Sequence, residues 1–152
     1  KYDALYPHIM RQICHLAASN LQSSPDDVVF IAGAVPLRPK MYIVRSGSLE
    51  YTTVNGDSSR VKQEEWVSEP ALWIRWKHRG ILRSVNSSSL LEIDAKTFQD
   101  VTTRFEHPVF NPCHYAKKYV ELLLQAEEPI LDVMRRLDLD DILGHRRGSS
   151  LV

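Results

Sequence analysis

Short runs of β-branched and aromatic residues, each closed by a turn signal, fill residues 26–94 and constrain the fold of this chain most strongly. Asn55-Gly56 lies between two such runs and predicts a hairpin, because both residues tolerate positive φ. Short strands at near-regular spacing are typical of a sandwich or a small barrel. We therefore predict a mainly β domain, with strands at residues 28–31, 41–45, 48–54, 60–67, 81–85 and 90–94.

Helical periodicity flanks this region on both sides. Apolar residues at three- and four-residue spacing from Leu5 to Leu21 predict an N-terminal helix that ends at Ser23-Ser24-Pro25. Beyond Asp94, a candidate N-cap, the same period predicts further helices at 95–105 and 113–126 and a third from Pro129. The predicted organisation is a helical segment at 1–25, a β region at 26–94, C-terminal helices at 95–143 and a tail at 144–152.

Charge and composition exclude several classes of protein. Lys and Arg number 19, as do Asp and Glu, so the chain lacks the basic excess of a nucleic-acid-binding protein. Two cysteines are too few for a secreted disulfide scaffold and predict free thiols in a reducing compartment. No apolar run approaches the roughly 18–20 residues of a membrane span, so we expect a cytoplasmic domain that meets a membrane only through a larger parent chain.

Known catalytic and metal-binding patterns are missing from the sequence. The six histidines show no H-x-H or H-x-x-x-H spacing, and no C-x-x-C occurs. Neither G-x-S-x-G nor a glycine-rich nucleoside triphosphate motif is present. We therefore predict no metal site, no catalytic residue, no resident cofactor and no enzymatic activity.

Tryptophans and cations interleave between residues 66 and 80. Leu72, Trp73 and Trp76 fit one face of a helical turn, so they form either a hydrophobic plug or a stacking surface for a partner. The surrounding cations form either a solvated face or an anion-binding loop that ends at Gly80. These cations and the adjacent histidine are Arg75, Lys77, His78 and Arg79.

Four motifs in this order resemble the cyclic nucleotide-binding domain family. They are Asp27-Val28-Val29-Phe30 with Gly33, Met41-Tyr42-Ile43-Val44 with Gly47 and Leu49, Ser68-Glu69-Pro70-Ala71-Leu72-Trp73, and Leu90-Leu91-Glu92-Ile93-Asp94 with Phe98. The resemblance covers about residues 6–124. It implies an eight-stranded β jelly roll with an N-terminal helix, C-terminal helices and a phosphate-binding cassette that begins at Ser68.

The resemblance also implies where a ligand would bind. Glu69 matches the family's ribose-binding glutamate and is expected to point into the pocket, whereas gapless alignment places His78 on the family's phosphate-binding arginine. Because histidine is only partly charged near neutral pH, we expect weak affinity for cAMP or cGMP, and we expect Arg79 to matter more than His78 for any anion. The predicted ligand-binding residues are Ser68, Glu69, Ala71, Leu72, His78, Arg79, Gly80 and Ile81.

Two functions of different class follow from these observations. The first is a non-catalytic regulatory or sensor domain of a larger intracellular protein, with a cyclic nucleotide or another small anion as ligand and with other domains or subunits docked through its C-terminal helices. The apolar stripe of Tyr115, Tyr119, Leu122 and Leu123 would supply that docking surface. The alternative is a scaffolding or protein-interaction domain whose pocket is filled by Trp73, Trp76 or C-terminal leucines.

Overall fold

The computed structural model describes residues 11–104, 112–125 and 130–133, and in these residues two antiparallel sheets of four strands each pack face to face. One sheet has the strand order β1-β8-β3-β6 and the other β2-β7-β4-β5. The prediction of a mainly β domain is therefore confirmed, and the arrangement is consistent with a jelly roll. The strands are β1 (Ala18–Ser23), β2 (Val28–Phe30), β3 (Lys40–Ser46), β4 (Leu49–Thr53), β5 (Ser58–Val61), β6 (Trp66–Val67), β7 (Gly80–Ser84) and β8 (Ser88–Asp94).

The main core lies between the two sheets and follows from residue alternation along the strands. In β4, Leu49 and Tyr51 point inward and are almost completely buried. β4 pairs with β5 through the predicted Asn55-Gly56 hairpin, where Gly56 has a φ of +91°. The buried residues of this core are Phe30, Tyr42, Val44, Leu49, Tyr51, Val61, Val67, Leu82 and Leu90.

A second apolar cluster joins the helices to the outer face of the first sheet. Helix α1 (Ala95–Thr102) follows β8 directly, and the Asp94 carboxylate caps it by accepting the Thr97 backbone N–H at 2.9 Å. The predicted cap and the start of the helix are thus confirmed. Helix α2 spans Pro112–Gln125. The buried members of the cluster are Ile13, Ala17, Leu72, Ile93, Ala95 and Val101.

The N-terminal helix ends earlier than the sequence predicts. A π-helical turn at Ile13–Ala17 gives way to strand β1, which pairs with β8 from Ala18 opposite Ile93 to Ser23 opposite Ser88. The predicted helical segment at 1–25 is therefore wrong from residue 18 onward. Spacing misleads here because Leu21 continues the helical period, whereas the backbone hydrogen bonds that favour a strand come from β8, some 70 residues away.

The third predicted helix is also wrong where it can be compared with the structure. Residues 130–133 are not helical, and they lie against the roll instead. The remainder of that predicted helix, the tail at 144–152 and the first ten residues fall outside the described residues.

Candidate functional site

The cassette begins at Ser68 and continues as an extended loop that lines one end of the roll. Ser68 has left-handed backbone geometry, with a φ of 65°, which is the conformation that glycine adopts most easily. A 3-10 helix at Glu69–Leu72 follows. Two hydrogen bonds then hold the extended part of the loop against residues 33–34: Gly33 N–H donates to the His78 carbonyl at 2.8 Å, and His78 N–H donates to the Ala34 carbonyl at 3.0 Å.

This loop presents two different faces. Trp76 and His78 are buried and point into the roll, where the His78 ring stacks on Phe30 with centroids 3.9 Å apart. Arg75, Lys77 and Arg79 alternate with them and are exposed. The alternation is that of an extended chain, so Trp76 does not share a helical face with Leu72 and Trp73 as the sequence predicts.

The carboxylate of Asp132 occupies the inward side of the cassette. Oδ1 accepts from Trp76 Nε1 at 2.6 Å, from His78 Nδ1 at 2.7 Å and from Ser68 Oγ at 3.2 Å. Oδ2 accepts from the Arg79 backbone N–H at 2.6 Å and from the Tyr51 hydroxyl at 2.9 Å. Asp132 is 1% exposed, so this anion is satisfied by protein donors rather than by bulk solvent.

The neighbours of Asp132 and its own main chain are bound as well. Ser68 N–H donates to the Asp132 carbonyl at 2.7 Å, and Asp132 N–H donates to the Tyr51 hydroxyl at 3.3 Å. Leu131 and Val133 pack against the main core of the roll on either side of the carboxylate. The cassette therefore contacts a short peptide segment, of which the anion is only the central group.

These contacts keep Asp132 ionised. Burial alone would raise the pKa of its carboxyl, but the hydrogen bonds from His78, Trp76, the Arg79 amide and Tyr51 together lower that pKa below its ordinary value. Burial raises the pKa of the Tyr51 hydroxyl well above its ordinary value, and the Asp132 charge adds to this effect. Tyr51 therefore stays neutral and acts as a hydrogen-bond donor.

Ser68, His78 and Asp132 lie together, but they do not have the geometry of a catalytic triad. In a triad the acid and the hydroxyl contact opposite nitrogens of the imidazole, so that a proton can pass between them. Here both Asp132 Oδ1 and Ser68 Oγ lie near Nδ1, at 2.7 Å and 3.3 Å. Since a carboxylate only accepts, Nδ1 carries its proton toward Asp132. Ser68 is also completely buried, so its hydroxyl cannot meet a substrate in this state.

Glu69 is buried, but its carboxylate faces helix α2 and not Asp132. Oε1 accepts from the Tyr115 hydroxyl at 2.9 Å and Oε2 from Trp66 Nε1 at 3.0 Å. Burial raises the pKa of the Glu69 carboxyl, and the bonds from Tyr115 and Trp66 offset only part of this effect. Trp73 packs on Tyr115 and Tyr119 with ring centroids 5.3 Å and 6.4 Å apart, so part of the predicted α2 stripe lies on the cassette.

The other predicted ligand-binding residues separate into two groups. Ser68 and His78 contact Asp132 through their side chains, and Arg79 contacts it through its backbone N–H. The Arg79 guanidinium lies over the Trp76 ring at 5.6 Å and does not bind the Asp132 carboxylate. That Arg79 matters more than His78 for a bound external anion stays a prediction. The remaining residues do not contact the carboxylate: Ala71 and Leu72 belong to the buried 3-10 helix, and Gly80 and Ile81 belong to β7.

Gly80 has a structural role that its place in the motif does not reveal. A Cβ at this position would lie 2.5 Å from Tyr51 Cζ and 2.6 Å from the Thr52 carbonyl oxygen. The absence of a side chain therefore lets the Tyr51 ring pass across β7 and bring its hydroxyl to Asp132.

Sequence reasoning missed Asp132 and Tyr51 as site residues. Asp132 is a single acid between Leu131 and Val133, which is the only signal that the sequence offers, and helical periodicity places it on a solvated face. Tyr51 fits the inward-facing positions of β4 and is expected in the core, but no residue near it in the sequence predicts a hydrogen-bonding role for its hydroxyl. Among the described residues, no group of three or more His, Cys, Asp or Glu could hold a metal ion, and no helix is long and apolar enough to cross a membrane.

Solved structures that resemble this chain have cyclic nucleotide-binding-like folds. A cyclic nucleotide-binding-like protein from Brucella abortus is 15% identical, with a TM-score of 0.58 over 67% of this chain and 89% of that one. The C-linker/CNBHD of zELK channels, crystallised in the presence of cAMP, is 16% identical, with a TM-score of 0.60 over 84% of this chain. The Thermus thermophilus catabolite activator protein is 15% identical, with a TM-score of 0.60 over 95% of this chain.

The matched regions are parts of longer chains in two of these cases. This chain spans 58% of the zELK chain and 61% of the catabolite activator protein. No family model and no curated protein matches the sequence. At these identities the likeness shows the fold, and the cyclic nucleotide-binding-like fold implied by the sequence resemblance is confirmed.

Proposed function

We propose that this chain is a non-catalytic regulatory domain whose cassette is occupied by its own Asp132 instead of a cyclic nucleotide. One observation carries the proposal: five donors converge on the Asp132 carboxylate at the position where the resemblance places the phosphate. A cyclic nucleotide would have to displace this anion and leave both the carboxylate and the donors to find new partners. Losing such charge-assisted bonds costs about 1.5–3 kcal/mol each, so the wild-type chain should not respond to cyclic nucleotides.

A regulatory role is supported by the way in which adjacent cassette residues hold different parts of the chain. Ser68 binds the Asp132 segment through its N–H and its hydroxyl, whereas the next residue, Glu69, binds Tyr115 of α2. If residues 130–133 leave, the left-handed backbone at Ser68 loses the bonds that hold it, and Glu69 lies one peptide bond away. Occupancy of the cassette and the position of α2 are thus coupled through two neighbouring residues, in a domain that we place within a larger intracellular protein.

Thermal melting with cAMP or cGMP tests the occupancy part of this proposal. A ligand at 100 times its Kd stabilises the folded state by about 2.7 kcal/mol, which is about 5–10 °C in a chain of this length. We expect no shift for the wild-type chain with millimolar nucleotide. A shift of several degrees in the wild type would show that a nucleotide displaces Asp132 readily and would contradict self-occupancy.

The fluorescence of Trp66 and Trp73 tests the coupling to α2, because both rings lie near Glu69 and Tyr115. Trp76 contacts Asp132 directly, so the test is made in a Trp76→Phe background. There, Asp132→Ala should change this emission in the folded protein at temperatures well below its melting transition. The matched control is Asp57→Ala, an acid in the exposed β4–β5 turn. Unchanged emission in Asp132→Ala, with retained far-UV circular dichroism, would mean that α2 does not sense the cassette.

A further inference from the structure

The cassette contacts residues 131–133 as a peptide, through main-chain groups as well as through the Asp132 carboxylate. The Asp132 carbonyl accepts from the Ser68 N–H at 2.7 Å, while its N–H donates to the Tyr51 hydroxyl at 3.3 Å. Both main-chain groups of a single residue are therefore bound, in addition to its carboxylate. Inorganic phosphate has no equivalent of this donor and acceptor pair, and a cyclic phosphate diester carries no N–H next to its anionic oxygens.

The positions on either side of Asp132 add apolar selectivity. Leu131 and Val133 pack against the core between the two sheets, which contains Phe30, Tyr42 and Leu82 among its buried residues. Three consecutive residues thus fill an apolar, an anionic and an apolar subsite. A polar side chain at either flank would lose its hydration on entering this core without a partner there.

The family's ribose contact is already used in this chain. Glu69, which would face a ribose hydroxyl, accepts hydrogen bonds from Trp66 and Tyr115. The Arg79 guanidinium lies over Trp76, so among the described residues His78 is the only side chain hydrogen-bonded to the anion that can carry a positive charge. This set of mainly neutral donors suits a single carboxylate that is also fixed by its main chain.

We propose that the cassette is a receptor for short peptide segments of the pattern aliphatic–Asp–aliphatic. Leu131-Asp132-Val133 is the occupant supplied by the chain itself, and an exposed segment of the same pattern on a partner protein is the occupant in trans. This proposal rests on the self-occupancy proposed above. Within residues 130–133, which the structure describes, these contacts come from three residues, so a short segment of a partner can supply them without sharing this fold.

The chain's own segment, residues 131–133, competes with any partner peptide for the cassette. A short linker holds its own segment at an effective concentration on the order of millimolar, so the wild-type cassette binds a free peptide weakly. Removing the Asp132 carboxylate releases that competitor and leaves the subsites available. Peptide binding should therefore strengthen when the segment in the chain is weakened.

Fluorescence polarisation with a labelled eight-residue peptide of the sequence of residues 128–135 tests this inference on the full chain. We expect Asp132→Ala to bind the peptide at least about tenfold more tightly than the wild type does. The same peptide with Asp replaced by Asn should bind about tenfold more weakly, because it loses the charge-assisted bonds.

The cassette itself offers a matched pair of further variants. In the Asp132→Ala background, His78→Ala should weaken peptide binding about tenfold, because His78 Nδ1 lies 2.7 Å from the carboxylate in the wild type. Lys77→Ala should leave it unchanged, because the Lys77 side chain is exposed on the other face of the same loop. Equal effects of the two substitutions would point to general electrostatic attraction and overturn the proposal.

If Asp132→Ala is unfolded alone, the recovery of its circular dichroism with added peptide becomes the measurement. Recovery with the Asp peptide and not with the Asn peptide supports the proposal. Absence of binding and of recovery would show that the segment is recognised only within its own chain. That result would leave the nucleotide insensitivity of the wild type intact, so the failure of this proposal is distinguishable from failure of the proposed function.

Discussion

The contact between His78 and Asp132 is the interaction whose energy can be measured most directly. Its two atoms are 2.7 Å apart, and the two side chains are 3% and 0% exposed. Asp132→Ala leaves a set of buried donors without their common acceptor and should destabilise the fold by about 3–5 kcal/mol. At about 2–4 °C per kcal/mol for a chain of this length, the melting temperature should fall by roughly 6–20 °C.

A double-mutant cycle separates this contact from everything else that each substitution removes. His78→Ala also loses the stacking on Phe30, so its single cost exceeds the worth of the hydrogen bond. The coupling between the two sites should be about 1.5–3 kcal/mol, the range for a hydrogen bond to a charged group. The double variant should therefore be more stable than the sum of the single effects predicts, by that amount.

The assay is urea denaturation, with unfolding monitored by both tryptophan fluorescence and far-UV circular dichroism. Coincident transitions would show that the whole domain unfolds, because Trp76 itself reports only on the cassette. The control cycle pairs Asp132→Ala with Lys77→Ala, whose side chain is exposed on the other face of the same loop. We expect additivity within about 0.5 kcal/mol there, and the same additivity for His78 and Asp132 would refute the reasoning.

Three further predictions follow from other features of the structure. Because folding lowers the pKa of Asp132, its ionised carboxylate stabilises the fold fully above the ordinary Asp range, and this stabilisation is lost as pH falls below about 4. The difference in unfolding free energy between wild type and Asp132→Asn, measured in urea, should therefore shrink from pH 7 to pH 3. A difference that stays constant over this range would contradict the prediction. Gly80→Ala should lower the free energy of unfolding by about 3 kcal/mol, because its Cβ would lie 2.5 Å from Tyr51 Cζ. Gly56→Ala should lower it by about 1 kcal/mol, because only the positive φ is unfavourable there. Equal melting temperatures of the two variants would refute the steric explanation. Asp94→Ala should lower the free energy of unfolding by about 1 kcal/mol through loss of the α1 cap, and an unchanged urea midpoint would mean that the cap contributes nothing.

Local pattern was sufficient for most of the β region. The alternation of Leu49 and Tyr51, the Asn55-Gly56 turn and the Asp94 cap each involve residues a few positions apart, so the interactions that stabilise them can be read from neighbouring letters. The order of the motifs was enough to identify the fold. These features depend on sterics and hydrogen bonds between residues close in sequence, so they can be predicted from the residue types alone.

Tertiary structure alone decided what fills the cassette and where the first strand begins. Asp132 meets Ser68, His78 and Tyr51 across 64, 54 and 81 residues, and no periodicity connects positions so far apart. Ala18–Ser23 is a strand because the edge of β8 supplies its hydrogen bonds, although its apolar spacing also fits a helix. In both places, hydrogen bonds from residues far away in the sequence pair backbone or charged groups that have no partner among their sequence neighbours. The free energy of these bonds outweighs the local preference for a helix.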